Sequence, residues 1–249
     1  MVLSSFKENS AIFKDMSSWR AFVVPKFTME NYVNALKQVP MIRYTLNSLL
    51  SVGSITILSL IINSLCGYAL AKLRTPCQKI LLYAVIALIA IPFQSIIIPV
   101  YLIVNDLGMV NTMAALILPF IASSYNIYLF RQFFTSIPKE LEEAAYIDGA
   151  SILRTFTSIV VPLSKANFAT VSVITFTGYW SDFLWPLMVT QDDSVRTVQL
   201  GLQFFFTEPP YNYGHIMAGL TMGTIPMVLI FLFFQKYYVQ GITAGGVKG

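Results

Sequence analysis

The chain has 249 residues, 56% of them hydrophobic and only 11% charged, where an ordinary soluble domain carries roughly 25% charged residues. So little charge cannot cover a water-facing surface, so lipid must be the solvent for much of the molecule. The net charge of +4 is too small and dispersed for nucleic acid to be the partner, and lysine and arginine serve instead as topology markers.

In chain order, residues 1–43 carry Lys7, Lys14, Arg20, Lys26, Lys37 and Arg43. They lack the long apolar core of a secretory leader. A bilayer core needs about 20 consecutive apolar residues per helical span, and charge-free runs follow from Tyr44 to Ala71, from Ile80 to Asn105 and from Leu107 to Phe130. The run from Ala166 to Gln191 holds one charge, Asp182, and the run from Pro209 to Gln235 holds only His215. The pattern predicts five spans, at 46–71, 80–104, 112–134, 167–190 and 214–235. Stretches such as "ILLYAVIALIAIP" do not alternate every second residue, so the spans are helices and not barrel strands. The expected fold class is an all-α integral membrane protein. Cys66 and Cys77 form neither a disulfide framework nor a metal motif, and no cofactor is expected.

Loop charge sets the orientation. Residues 72–79, 131–165 and 236–249 carry Lys72, Arg74, Lys79, Arg131, Lys139, Arg154, Lys165, Lys236 and Lys248; the opposite loops, 106–113 and 192–208, carry only Arg196. The positive-inside rule places the former set and the 237–249 tail in the cytoplasm. Residues 1–43 are then extracytoplasmic despite their charge, since long segments translocate largely regardless of it.

Between the third and fourth spans lies "IPKELEEAAYIDGAS", with four of the chain's twelve acidic residues. A helix starting at Ser136 or Ile137 is expected, with Pro138 in its first turn. Glu140, Glu142 and Glu143 then sit near the positive end of its dipole. Gly149 is suited to stop it in the left-handed conformation. Ser151 is placed to cap a second helix, "ILRTFTSIVV", ending near Pro162. Ala144 and Ala145 form a smooth patch suited to a groove on another protein. An amphipathic helix lying on lipid is the competing reading; its acids argue against it, because such helices are usually basic.

The stretch "EAAYIDGASILRTFTSIVVP" resembles the EAA loop of bacterial binding-protein-dependent ABC-importer permeases. Glu143, Ala144, Ala145, Gly149, Ile159 and Pro162 fall on that pattern, flanked by Glu142 and Asp148, and Val161 stands where leucine is usual. "FTMENYVNAL", "RYTLNSLLSV", "GMVNTMAALILPF", "WSDFLWPL" and "GITAGGVKG" are similar to the sugar-importer branch, and the tail resembles the shorter maltose permease subunit. The resemblance implies a type-1 permease domain over 44–236, with the EAA loop at 135–165. It also implies six spans, the first ending just before a sequence like "MVLSSFK", so that the family's first span is expected to be missing here. It further implies a second homologous permease, two ATPase subunits docking at the EAA loop, an extracytoplasmic solute-binding protein and a bacterial inner-membrane location. The solute it implies is a carbohydrate, most naturally an oligosaccharide; another solute such as a glycerol-phosphate ester stays open. The chain has no phosphate loop of its own, and no catalytic constellation that would make it an enzyme. A secondary transporter is the other class considered, but no inverted repeat is found and intramembrane charge is nearly limited to Asp182.

Polar groups within spans usually face protein or a cavity. The candidates for a solute pathway are Asn63, Gln94, Tyr125, Asn126, Tyr179, Trp180 and Asp182. For Asn63, Gln94 and Asn126 the alternative is an interhelical hydrogen bond, worth roughly 0.6 kcal/mol. For Trp180 and Trp185 the choice is between sugar-stacking platforms and interfacial aromatics. Gln94 lies between Pro92 and Pro99, where a kink is expected.

Overall fold

The computed structural model describes residues 1–73, 76–207 and 211–245. Arg74, Lys248, Pro209 and tail residues 246–249 lie outside the described residues, as does the side chain of Lys236. Among the described residues every regular element is helical. After short turns at Val2–Ser5 and Trp19–Phe22 come the main helices: α1 (Asn9–Met16), α2 (Glu30–Gln38), α3 (Met41–Lys72), α4 (Gln78–Ile89) and α5 (Phe93–Asp106). They continue as α6 (Met113–Phe120), α7 (Ser124–Thr135), α8 (Lys139–Ile147), α9 (Ile152–Leu163) and α10 (Lys165–Trp180). The chain ends with α11 (Leu184–Val189), α12 (Val198–Thr207) and α13 (Tyr213–Gly245).

Two described helices, α3 and α13 over Tyr213–Phe233, are long and apolar enough to cross a membrane alone, and the number rises to five if each bent pair counts as one span. With 32 residues, α3 is about 48 Å long, more than the ~30 Å hydrocarbon core. Three expected spans are not straight. The 80–104 span breaks at Pro92 into α4 and α5, which meet at 100°, a far sharper turn than the expected kink. The 112–134 span bends by 44° between α6 and α7, where Pro119 withholds an N–H and Ser123 caps the new helix by accepting from the amide of Asn126. The 167–190 span stops at Trp180 and resumes as α11, while α10 is joined at 80° to α9. Long stretches of outward-facing apolar side chain, such as Ile57, Ile61, Leu102 and Leu229, are what lipid as solvent allows.

The chain forms two compact units. The first comprises Met1–Gly53, Val104–Leu116 and Thr177–Ile230. Residues 1–39 are folded, which the sequence reading did not anticipate. Lys7 is buried, pairs with Asp15 at 3.2 Å and donates to the Arg20 carbonyl at 2.6 Å. Asn31 donates to the carbonyls of Ser5 and Lys7 at 2.8 and 2.7 Å. This segment is tied to the start of α13: Asn9 accepts from the amide of Gly214, and Phe13 meets the edge of Tyr213 at 4.3 Å. The region 192–208, expected as a loop, contains α12, which buries Val198, Leu200, Gly201 and Phe205. The turn before it is braced. Asn111, at φ 61, donates to Asp192 and accepts from the amides of Gln191 and Asp192. Tyr44 donates to Asp193, and Asn47 donates to the carbonyls of Ser194 and Arg196. The Ser194 and Asn111 hydrogen bonds hold the Asp192 carboxyl down at about 2.

The second unit comprises Ser54–Ile103, Ile117–Phe176 and Phe231–Gly249. Its core is aromatic, built from Tyr68, Phe130, Phe134 and Phe156 with Val160 and Val171. Gly67 allows α3 and α7 to meet here, because a Cβ at that position would lie 2.6 Å from the Phe130 Cβ and 2.9 Å from the Arg131 amide nitrogen. Small residues at helix crossings are the usual means of close approach in lipid, where apolar burial alone drives little association.

Candidate functional site

The acidic stretch forms a helix–elbow–helix. It begins at Lys139, later than expected, because Pro138 with φ −56° and ψ 135° is still extended and sits at the cap position. The helix ends in a Schellman motif: Gly149 takes φ +79°, its amide donates to the Tyr146 carbonyl at 3.0 Å, and the Ala150 amide donates to the Ala145 carbonyl at 2.9 Å. Ser151 accepts from the Arg154 amide at 3.3 Å and caps α9. Within α9 residues Phe156–Val160 are wound as a π-helix, just before Pro162, which has no N–H to continue the ladder. Ile159 is half-buried there and Pro162 is exposed.

The two faces of α8 differ. Glu142 and Ala145, one turn apart, point inward and are 5% and 9% exposed. Glu143 and Ala144 point outward with Asp148, and Ile147 is 86% exposed. The alanine pair is therefore not one patch: Ala144 is available to a partner and Ala145 belongs to the chain's own packing. Glu142 is likewise not a surface acid. Its Oε1 lies 2.7 Å from Lys72 Nζ at the end of α3, with both side chains almost fully buried. Tyr68 donates to its Oε2 at 3.2 Å, and the Tyr68 and Tyr146 hydroxyls are 3.4 Å apart. Lys72 also donates to the Ile137 carbonyl at 2.7 Å. The sequence marked Lys72 only as a topology charge, and nothing in its spacing pointed to a carboxylate seventy positions away.

The candidate pathway residues separate by burial. Asn63 is fully buried; it donates to Ser59 at 2.5 Å and to the Ile121 carbonyl, and accepts from the Ser123 amide. Asn126, 4% exposed, donates to Ser59 at 3.1 Å and Thr175 at 2.9 Å. Both are buried, hydrogen-bonded cross-links between helices. Ser59 and Thr175 were missed, since hydroxyls in apolar runs carry no distinctive spacing. Trp180 is buried and its indole N–H donates to the Gly223 carbonyl at 3.1 Å; Trp185 is buried and donates to the Ala115 carbonyl at 2.9 Å. Neither indole is an exposed stacking platform or an interfacial anchor. Gln94 and Tyr125 are exposed. Tyr179 and Asp182 are half-buried, and Asp182 lies where the helix is broken, between the end of α10 at Trp180 and the start of α11 at Leu184. That placement explains how a charge is accommodated inside an apolar run.

Residues 63–244 match the family model described as "Binding-protein-dependent transport system inner membrane component". The chain belongs to this family. As a permease it is a membrane transport component and not an enzyme. It is 32% identical over 250 residues to the arabinooligosaccharides transport system permease protein of Halalkalibacterium halodurans, covering 100% of this chain and 89% of that relative. It is 34% identical over 225 residues to the sn-glycerol-3-phosphate transport system permease protein of Brucella abortus, covering 86% of this chain and 79% of the relative. The permease fold is shared with a chain of a bacterial ABC transporter involved in the import of the acidic polysaccharide alginate, with a TM-score of 0.81 and 21% identity over 95% of this chain and 88% of that one.

Proposed function

We propose that the permease is one of two homologous membrane subunits of an ATP-driven importer in a bacterial inner membrane, and that its solute is an oligosaccharide delivered from outside by a solute-binding protein. Residues 44–236 form the transporting domain, residues 1–43 lie on the extracytoplasmic side, and the tail from 237 is cytoplasmic. The 135–165 loop faces the cytoplasm, where α8 docks in the cleft of one of two ATPase subunits through Glu143, Ala144 and Ile147. Asp148 and Gly149 fix the elbow, and Ile159 and Pro162 carry the movement toward α10. Gln94, Tyr125, Tyr179 and Asp182 remain the pathway candidates.

The observation that carries this reading is the division of α8 into a locked inner face and an exposed outer one, with Ile147 86% exposed beside Glu143 and Ala144. An apolar side chain presented in that way on a short acidic helix suits a protein groove better than a lipid surface. For the solute, support comes from the relative named for arabinooligosaccharides, which matches the whole chain. The relative named for sn-glycerol-3-phosphate, at 34% identity, keeps a glycerol-phosphate ester as the second reading.

The test is uptake into proteoliposomes containing the permease with its second permease, ATPases and binding protein. Labelled arabino-oligosaccharide should accumulate only with MgATP. Accumulation of sn-glycerol-3-phosphate in its place reassigns the solute, and uptake that persists with hydrolysis-dead ATPases refutes the ATP-driven reading.

A further inference from the structure

The inner end of α3 and the coupling helix are joined without a covalent link. Gly67, Tyr68 and Lys72 occupy the last turns of α3; Gly67 brings α7 against it, and Tyr68 packs on Phe134 and Phe156 with ring centroids 6.2 and 5.1 Å away. Lys72 is held by Glu142 of α8 at 2.7 Å and by the Ile137 carbonyl just before α8, also at 2.7 Å. Tyr68 takes the second Glu142 oxygen at 3.2 Å. The two charged side chains are 4% and 6% exposed. If α3 and α8 slid past each other, a desolvated ammonium and a desolvated carboxylate would separate with no water at hand to replace either partner, which opposes the motion strongly. The covalent connections of α8 carry no such lock. One passes through the extended Pro138 to α7 and the other through the Gly149 elbow to α9, and neither runs to α3.

We propose that Lys72 and Glu142 are positioning residues that fuse α3 to the coupling helix, so that this span moves with α8 as one body when the ATPases close. The proposal rests on the coupling role given to α8 above. Lys72 acts through Glu142 and needs no contact with solute or nucleotide.

The experiment uses the assembled transporter with Cys66 and Cys77, both exposed, replaced by serine, and spin labels at Ile61→Cys on α3 and Leu141→Cys on α8. Ile61 and Leu141 are 53% and 43% exposed, so labels are tolerated. The interspin distance should be the same in the nucleotide-free state and with MgATP and vanadate, to within about half a helical turn, ~3 Å. With Lys72→Met the distance should change between the two states by more than that, and Lys72→Arg should restore constancy. Should Lys72→Met fail to insert, Lys72→Met with Glu142→Met removes the ion pair without leaving a lone buried charge and carries the same expectation. A nucleotide-dependent distance in the parent, or a constant one in the uncharged variants, overturns the fusion. Mobility of the Leu141 label on adding the ATPases reports docking separately: if it does not fall, the coupling role of α8 fails, whatever the distance shows.

Discussion

Gly149 offers a sharp test of the elbow. Its φ of +79° is a conformation that L side chains rarely adopt, yet a Cβ built there meets no atom within 4 Å. Substitution therefore carries a backbone cost and no steric clash with neighbours. Alanine in the left-handed region costs about 1–2 kcal/mol. Valine should cost more, because a β-branched residue is a genuine outlier there. Asparagine should cost least, since its side chain bonds locally and it is the commonest substitute at this helix position. The price falls on the two bonds of the Schellman motif, from the amides of Gly149 and Ala150. A loss of about 1–2 kcal/mol corresponds to a factor of 5–30 in the local opening equilibrium. Hydrogen-exchange mass spectrometry of the 143–151 peptide in the purified transporter should show exchange accelerating in the order Asn, Ala, Val, with ATP-driven uptake falling in the same order. Asparagine is larger than alanine, so the order discriminates: if Gly149→Asn exchanges faster than Gly149→Ala, side-chain bulk governs the position and the backbone argument is refuted.

Ala144→Trp should weaken co-purification of the ATPases while the permease still inserts, whereas Ala145→Trp, at a position 9% exposed, should overpack the chain's own interior by about 1–3 kcal/mol and lower its yield; equal behaviour of the two would contradict the assignment of faces. Asp182→Leu removes a half-buried charge at the break between α10 and α11 and should impair transport with insertion preserved; unchanged uptake would free Asp182 of any role in the pathway or its scaffold. The Asp192 carboxyl, lowered to about 2 when folded, contributes stability to its turn that is complete above the unfolded value of about 3.9 and lost as pH falls through the folded one; proteolytic nicking of 190–197 by an acid protease should rise between those values, and Asn111→Ala should move the rise to higher pH. In intact cells, cysteine at Leu141 should be shielded from an impermeant thiol reagent and cysteine at Gln191 should react; labelling at position 141 would reverse the orientation.

Hydropathy located the apolar stretches that the structure turns into long or bent helices, because composition alone decides what lipid accepts. It could not see direction. Pro92 announced a kink, but the 100° between α4 and α5 depends on what each half packs against. The break after Trp180 was hidden because Ser181 and Phe183 are unremarkable in a span, and Asp182 reads as an isolated charge until the break itself is seen. The elbow was legible in detail, since Gly149 and Ser151 act through local backbone chemistry. Glu142, Ala145 and Asn126 were harder for the opposite reason: whether each faces inward is settled by Lys72, Tyr68, Ser59 and Thr175, residues far away in the chain. The folded segment around Lys7 and Asp15 was missed because its polar composition looks like an ordinary loop until the buried pairing is seen.

That segment has a consequence for biogenesis. Asn9 is completed by the amide of Gly214, 205 positions later, and Phe13 by the ring of Tyr213. At about 5–20 residues per second, the ribosome supplies those partners roughly ten to forty seconds after Asn9 is made. Through that interval the local pairs of Lys7, Asp15 and Asn31 can form, but Asn9 and Phe13 lack their contacts to α13. The helix that starts at Tyr213 is thus the one that completes the segment around Asn9, and a ribosome stalled before Tyr213 leaves that segment without these partners, a natural place for quality control to act.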